Sequence, residues 1–285
     1  MSMSGVSPPK SRVFPGRGTL SRLGLPGLIA AAVVAVVGLA TFWPQLLTGV
    51  DPNAIAPADA LSAPGAGYWF GTDTSGRDVF ARVVHGASQS VGIGLAATGI
   101  GVGLGVVIGF ASGLGPVWLD AGLRRVIEVL FALPTLVLAL LLVAVMGPGV
   151  RASVIAVGLA TAPGYARILR ARVRTVARAG YVEAARLEGA GPFEVLLRHI
   201  VPNSLWPLLA MITLGIGQAI VWVAALSFLG LGALPPSPEW GAMVNGGRLH
   251  ITSAWWLAVC PGLAITVTAG ALTVLGRAVG RVGRR

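Results

Sequence analysis

Six stretches of this chain are apolar for the length a helix needs to cross a bilayer, and charged side chains nearly vanish from them. A hydrocarbon layer about 30 Å thick is spanned by about 20 helical residues. Inside lipid every peptide N–H and C=O must bond within its own segment, so such runs fold as helices. They cover residues 25–47, 91–114, 126–146, 152–169, 205–231 and 255–275, the fourth interrupted by Pro163 and Arg167. Composition closes the alternatives. Of the 285 residues 55% are apolar, 41 more are glycine and only 11% are charged, where soluble domains carry about 25% charged residues. Too few charges remain to cover a water-facing surface, which excludes a soluble enzyme, a secreted disulfide scaffold and a disordered chain. The expected fold class is an all-α integral membrane protein with six transmembrane helices.

Charge sets the orientation. Lys10, Arg12, Arg17 and Arg22 precede the first run, which is longer than the h-region of about 7–15 residues in a signal peptide and so reads as a retained helix. With the N-terminus inside, Arg124 and Arg125, then Arg167, Arg170, Arg172, Arg174, Arg178, Arg186 and Arg198, and finally Arg277, Arg281, Arg284 and Arg285 also fall inside. Outside are Arg77, Arg82, Arg151 and Arg248. This is the positive-inside pattern, so both termini are expected in the cytoplasm of a multi-pass cell-membrane protein. A net charge of +11 placed this way does not point to nucleic acid. The expected organisation is a cytoplasmic tail over 1–24, a first transmembrane helix over 25–47 and an extracytoplasmic segment over 48–88. A five-span core follows over 89–277, with a cytoplasmic loop at 170–204, and 278–285 form a basic tail.

The outer segment begins with turn residues (Asp51-Pro52, Pro57, Pro64-Gly65) and passes through Tyr68 and Trp69, which suit the headgroup belt. Ser75 and Asp78 stand at capping-box spacing, predicting a short amphipathic helix. Val79, Phe80, Val83 and Val84 would form its apolar side, and Arg77, Asp78, Arg82 and His85 its polar side. In the second span Gly101, Gly105, Gly109 and Gly113 recur every four residues, a smooth ridge on which another helix, of this chain or of a partner, can approach closely. Glu128 is the main ionisable residue within a span; Arg124, one turn earlier, is its expected partner, with ion coupling the alternative.

Chemistry of other kinds is not expected. Cys260 is alone, and His85, His199 and His250 lie far apart without ligand spacing, so neither a disulfide nor a metal site is anticipated. No Gly-Lys-Ser/Thr occurs, so the chain has no P-loop. No Ser/His/Asp cluster suggests a catalytic residue.

The loop after the fourth span is the informative part. Residues 167–178 read as a helical extension that Gly180 ends. Then come Tyr181-Val182-Glu183-Ala184-Ala185-Arg186-Leu187-Glu188-Gly189-Ala190-Gly191-Pro192, a short helix between glycines, with Pro192 suited to open the next helix. Phe193, Leu196, Leu197 and Ile200 make a one-sided stripe and Pro202 is expected to stop it. A small rigid helix projecting between two supports is a docking element. Ala184 and Ala185 allow close approach, Gly189 permits a sharp turn, and Glu183 offers a carboxylate to a helix start or a partner's arginine.

Glu183-Ala184-Ala185 followed by Gly189 and Pro202 resembles the EAA loop of ABC importer permeases. Phe70-Gly71-Thr72-Asp73 with Gly76-Arg77-Asp78, the run from Arg198 to Asn203, Ala225-Leu226-Ser227-Phe228-Leu229-Gly230-Leu231-Gly232, Pro236, Pro238-Glu239-Trp240-Gly241 and Ala254-Trp255-Trp256 are similar to the C-type permease of dipeptide/oligopeptide and nickel importers. The resemblance runs in order from about residue 66 to 277. Departures are Val201 for Leu, Gly180 for an acid and Glu188 for an apolar residue, whereas His199 agrees with the peptide branch. The resemblance implies a type I ABC importer permease fold forming half of a pore for di-/oligopeptides, with nickel complexes or glutathione as alternatives. It implies that Tyr181, Glu183, Ala184, Ala185, Gly189 and Ala190 couple to an ATPase. The implied partners are a homologous B-type permease, two ATP-binding subunits that hold ATP and Mg, and an extracytoplasmic peptide-binding protein; no cofactor belongs to this chain. A self-contained channel or secondary carrier is the rival reading, and the empty mid-membrane and the docking loop count against it.

Overall fold

The computed structural model describes residues 24–206 and 208–282. The expected tail before Gly24, with Lys10, Arg12, Arg17 and Arg22, lies outside these residues, as do Arg284 and Arg285. The described chain is helical, with one isolated bridge between Thr72 and Asp78. Its helices are α1 (Gly24–Phe42), α2 (Val79–Leu114), α3 (Val117–Phe131), α4 (Thr135–Met146), α5 (Val150–Ala177), α6 (Gly180–Leu187), α7 (Pro192–Val195), α8 (Val201–Leu205), α9 (Leu208–Phe228), α10 (Trp240–Gly247) and α11 (Trp256–Val282). Five are long and apolar enough to cross a membrane, or six spans if the bent α3–α4 pair counts as one.

Several boundaries differ from the sequence reading. The expected amphipathic helix and the second span are one helix, α2, of 36 residues, so the boundary at 88/89 falls inside it. Its cap is Asp78 and not Ser75: the Asp78 carboxylate accepts the Phe80 N–H at 2.8 Å. Ser75 sits in the preceding turn, its N–H held by Asp73 at 2.8 Å. Arg82, expected on a polar face, is folded inward at 7% exposure. It donates to the carbonyls of Pro52 and Pro236, each at 3.1 Å, and so ties the loop before α2 to the chain before α10. The first span ends early, at Phe42, where Pro44 opens a 3-10 turn. At the other end α11 continues helical to Val282, into the expected tail.

The expected third span, 126–146, is broken: α3 and α4 meet at 92°. Pro134 caps α4; it has no N–H to give, and it disfavours helical geometry at Leu133. Pro202 does the reverse of what was expected. The chain passes through a π turn over Leu196–Ile200, in which the Val201 N–H reaches back to the Leu196 carbonyl, and continues into α8. The extra residue rotates the stripe, so Val195 and Ile200 are buried while Phe193 and Leu197 are exposed.

The α2–α5 pair is the centre of the bundle, and the glycine ridge faces α5 of this same chain. A methyl group at Gly101 would stand 2.5 Å from Thr161 Oγ1, one at Gly109 2.9 Å from Leu169 Cβ, and one at Gly113 2.7 Å from Val173 Cγ1. Gly105 lies against Tyr165. Backbone contact is thus obligatory along the seam. Ile93, Ala97, Leu138, Val143, Val157, Val223 and Leu226 join α2, α4, α5 and α9 in one buried cluster. At the N-terminal end of α2 the Trp240 indole donates to the Val83 carbonyl at 2.9 Å, and the Trp256 indole to the Thr72 carbonyl at 3.1 Å. There too the hydrogen bond to Asp59 holds the Tyr68 phenol above its ordinary pKa.

Candidate coupling site and membrane cavity

α6 starts after Ala179, whose extended backbone breaks the line of α5. Val182 is fully buried and packs in a cluster with Leu169, Val173 and Val176 of α5 and Val195 and Ile200 beyond. This seats α6 on the end of α5. Glu183 and Ala184 face outward, Tyr181 is exposed, and Leu187 and Phe193 are 84% and 71% exposed, an apolar surface left uncovered by the described residues. Glu183 caps no helix and forms no ion pair among the described residues. Ala185 is buried, and its small side chain lets α6 lie close against its own support.

Gly189 turns the chain at φ +91°, with its N–H on the Arg186 carbonyl at 3.1 Å. Nothing lies within 4 Å of a methyl group placed there, so the requirement for glycine is conformational. Tyr181, Ala184, Ala185, Gly189 and Ala190 line one open cleft of about 460 Å³ together with Glu188, Glu194 and His199; Glu183 stands outside it. Five of the six residues expected to couple are therefore brought together. The Tyr181 and His199 rings are 6.4 Å apart.

Two further features were not found in the sequence. The first is a cavity of about 290 Å³ among α2, α3, α4, α5 and α9, lined by Thr98, Phe131, Thr135, Thr161, Tyr165, Gln218 and Trp222 among others, with no charged side chain. Its signal was the set of hydroxyls and one amide scattered through apolar runs. The second is a buried carboxylate. Asp120, in the first turn of α3, accepts the Ser112 hydroxyl at 2.6 Å, Arg170 Nε at 2.5 Å and Arg170 Nη2 at 2.8 Å. Arg174 Nη2 adds a contact at 2.7 Å. One acid thereby joins α2, α3 and α5. The pair anticipated in the sequence is weaker: Glu128 lies 3.7 Å from both Arg124 and Arg125, and all three side chains are more than half exposed. Exposed pairs of this kind contribute about 0–1 kcal/mol.

Residues 101–282 match the family model described as binding-protein-dependent transport system inner membrane component. The chain is 39% identical over 276 residues to the probable D,D-dipeptide transport system permease protein DdpC of Escherichia coli K12, covering 96% of this chain and 92% of that one. It is 35% identical to the dipeptide transport system permease protein DppC of Alkalihalophilus pseudofirmus (90% and 83% covered) and 37% identical to the glutathione transport system permease protein GsiD of Pectobacterium atrosepticum (88% and 82%). A crystal structure of an amino acid ABC transporter shares the fold at a TM-score of 0.58 and 19% identity, over 71% of this chain and 94% of that one. The chain belongs to the family of binding-protein-dependent transport system inner membrane components.

Proposed function

We propose that this chain is the C-type permease subunit of an ATP-driven importer of di- or oligopeptides, and that it forms half of the translocation path. The observation that carries the reading is α6: a short helix seated on α5, with a carboxylate that has no ion-pair partner among the described residues and with exposed Tyr181 and Leu187 beside exposed Phe193 of α7. ATP and Mg belong to two partner ATPase subunits that receive this helix. A homologous B-type permease completes the pore, and an extracytoplasmic binding protein delivers the solute. The termini and the α5–α9 connection are cytoplasmic, and the segment before α2 is outside. The neutral, hydroxyl- and aromatic-lined cavity suits peptides, whose amide groups need both donors and acceptors and whose charges would adhere to fixed ones. Relatives named for dipeptides support this substrate class, and the one named for glutathione, itself a peptide, keeps that alternative open.

The experiment is co-purification followed by reconstitution. The chain is expected to bring with it a second permease and a nucleotide-binding subunit, and vesicles containing all of them to accumulate dipeptide only with ATP and binding protein. Transport by the purified chain alone would make it a self-contained carrier.

A further inference from the structure

α3 is held by an ion cluster where an apolar face would be expected. Of its 15 residues only Asp120 and Ile127 are buried, while Val117, Trp118, Val126 and Val129 are each more than half exposed. Hydrophobic packing therefore does little to fix α3 on its neighbours. The Asp120 carboxylate does, through the forked pair with Arg170 and the added contacts from Arg174 and Ser112. At the far end of α3 the Arg167 guanidinium lies 5.9 Å from the centre of the Phe131 ring, a second tether to α5.

The same stretch of α5 also carries α6. Leu169, Val173 and Val176 pack against Val182 of α6. Phe131, at the end of α3, and Thr135, at the start of α4, both line the membrane cavity. A continuous route thus runs from α6 through α5 and the carboxylate to α3, and from the α3–α4 bend to the cavity wall. The chemistry of the link matters. Apolar surfaces can slide past each other at little cost, but a planar guanidinium forked onto a carboxylate fixes both distance and orientation. Pulling it apart would strand a buried charge. A displacement of this part of α5 must carry α3 with it.

We propose that the Asp120–Arg170–Arg174 cluster is the joint through which movement of the docking helix α6 reaches the α3–α4 bend and the wall of the cavity, with Asp120 as a positioning residue. This rests on the reading of the chain as an importer permease.

The test uses the complete complex in lipid vesicles, with Cys260→Ser in the background and spin labels on Gly122→Cys in α3 and Thr175→Cys in α5. Label distances, ATP hydrolysis and uptake of radiolabelled dialanine are measured together. With Asp120 present the labels should give one narrow distance that ATP leaves unchanged. Asp120→Asn should broaden that distance and lower uptake by about tenfold or more while ATP hydrolysis continues. Exchanging the charges, Asp120→Arg with Arg170→Asp, should restore the narrow distance and most of the uptake. If Asp120→Asn fails to assemble, the exchanged variant decides: recovery of assembly and of the narrow distance supports the joint, and failure to recover either overturns it. A narrow distance in Asp120→Asn, with or without uptake, also overturns it. The importer reading is tested separately by the unsubstituted complex. If that complex takes up no dialanine while the label distances respond to Asp120→Asn as described, the transport reading fails and the joint stands.

Discussion

Glu183 and Asp120 show how the same carboxylate chemistry serves two ends. Asp120 is enclosed by donors from its own chain, whereas Glu183 has no ion-pair partner among the described residues and points away from the bundle. Reversing an exposed, unpaired charge typically changes stability by no more than about 0.5 kcal/mol. Glu183→Lys is therefore expected to leave membrane insertion and permease pairing intact and to lower uptake by about tenfold through a lost docking contact; uptake and ATPase activity in reconstituted vesicles, with subunit content on gels, check it. Gly189 supplies a second prediction. At φ +91° a side chain meets no neighbour but a strained backbone, at about 1–3 kcal/mol for a non-glycine residue. Gly189→Val should uncouple ATP hydrolysis from uptake, and Gly189→Asn, which tolerates this conformation better, should retain more uptake. Equal uptake by both would mean that the turn is not strained. Glu183 and Gly189 were legible in sequence because their meaning is local. Asp120 was not, because its arginine lies 50 residues away and no spacing rule joins them.

Among the elements the α2–α5 seam is the most constrained. Gly105→Leu or Gly109→Leu would force a branched side chain into Tyr165 or Leu169, and overpacking of this kind costs about 1–3 kcal/mol or more. Both variants are expected to lower the yield of assembled complex and the thermal midpoint of the purified chain, while Gly103→Leu, where nothing lies within 4 Å, should do neither in the isolated chain. Unchanged yield and midpoint for Gly105→Leu would show that the seam can open. The periodic glycines made this seam visible in sequence, but the partner helix was not. The prolines were harder to read. Pro163 lies inside α5 without ending it, because Gly158, Thr161 and Tyr165 on both sides of it are pressed against α2. Pro134 has no comparable support, since α3 is largely exposed, and there the chain breaks. The outcome at a proline depends on what packs across it, which a linear reading does not contain.

For the whole molecule the distribution of arginine gives the prediction with the widest reach. A reporter inserted at 57–65 should read external, and reporters within 170–178 or after Arg285 should read cytoplasmic. An external signal from 170–178 would place α6 on the wrong side for any ATPase and remove the proposed energy input. The class and five of the six expected spans followed from hydropathy alone, because lipid leaves the backbone so few solutions; the bend within the third did not. The cavity did not, because it is made of side chains from five helices whose azimuths are set only when they pack. α2 adds a mechanical consequence. Its 36 unbroken residues make a rod of about 54 Å, fastened near its N-terminal end through Arg82 and near its C-terminal end through Ser112. A seesaw pivoted at its middle cannot lower both ends at once: a tilt of about 5° shifts the two ends by about 2 Å in opposite senses. A tilt that carries one end of this rod toward the bundle carries the other end away from it, so the two ends are linked by the helix itself.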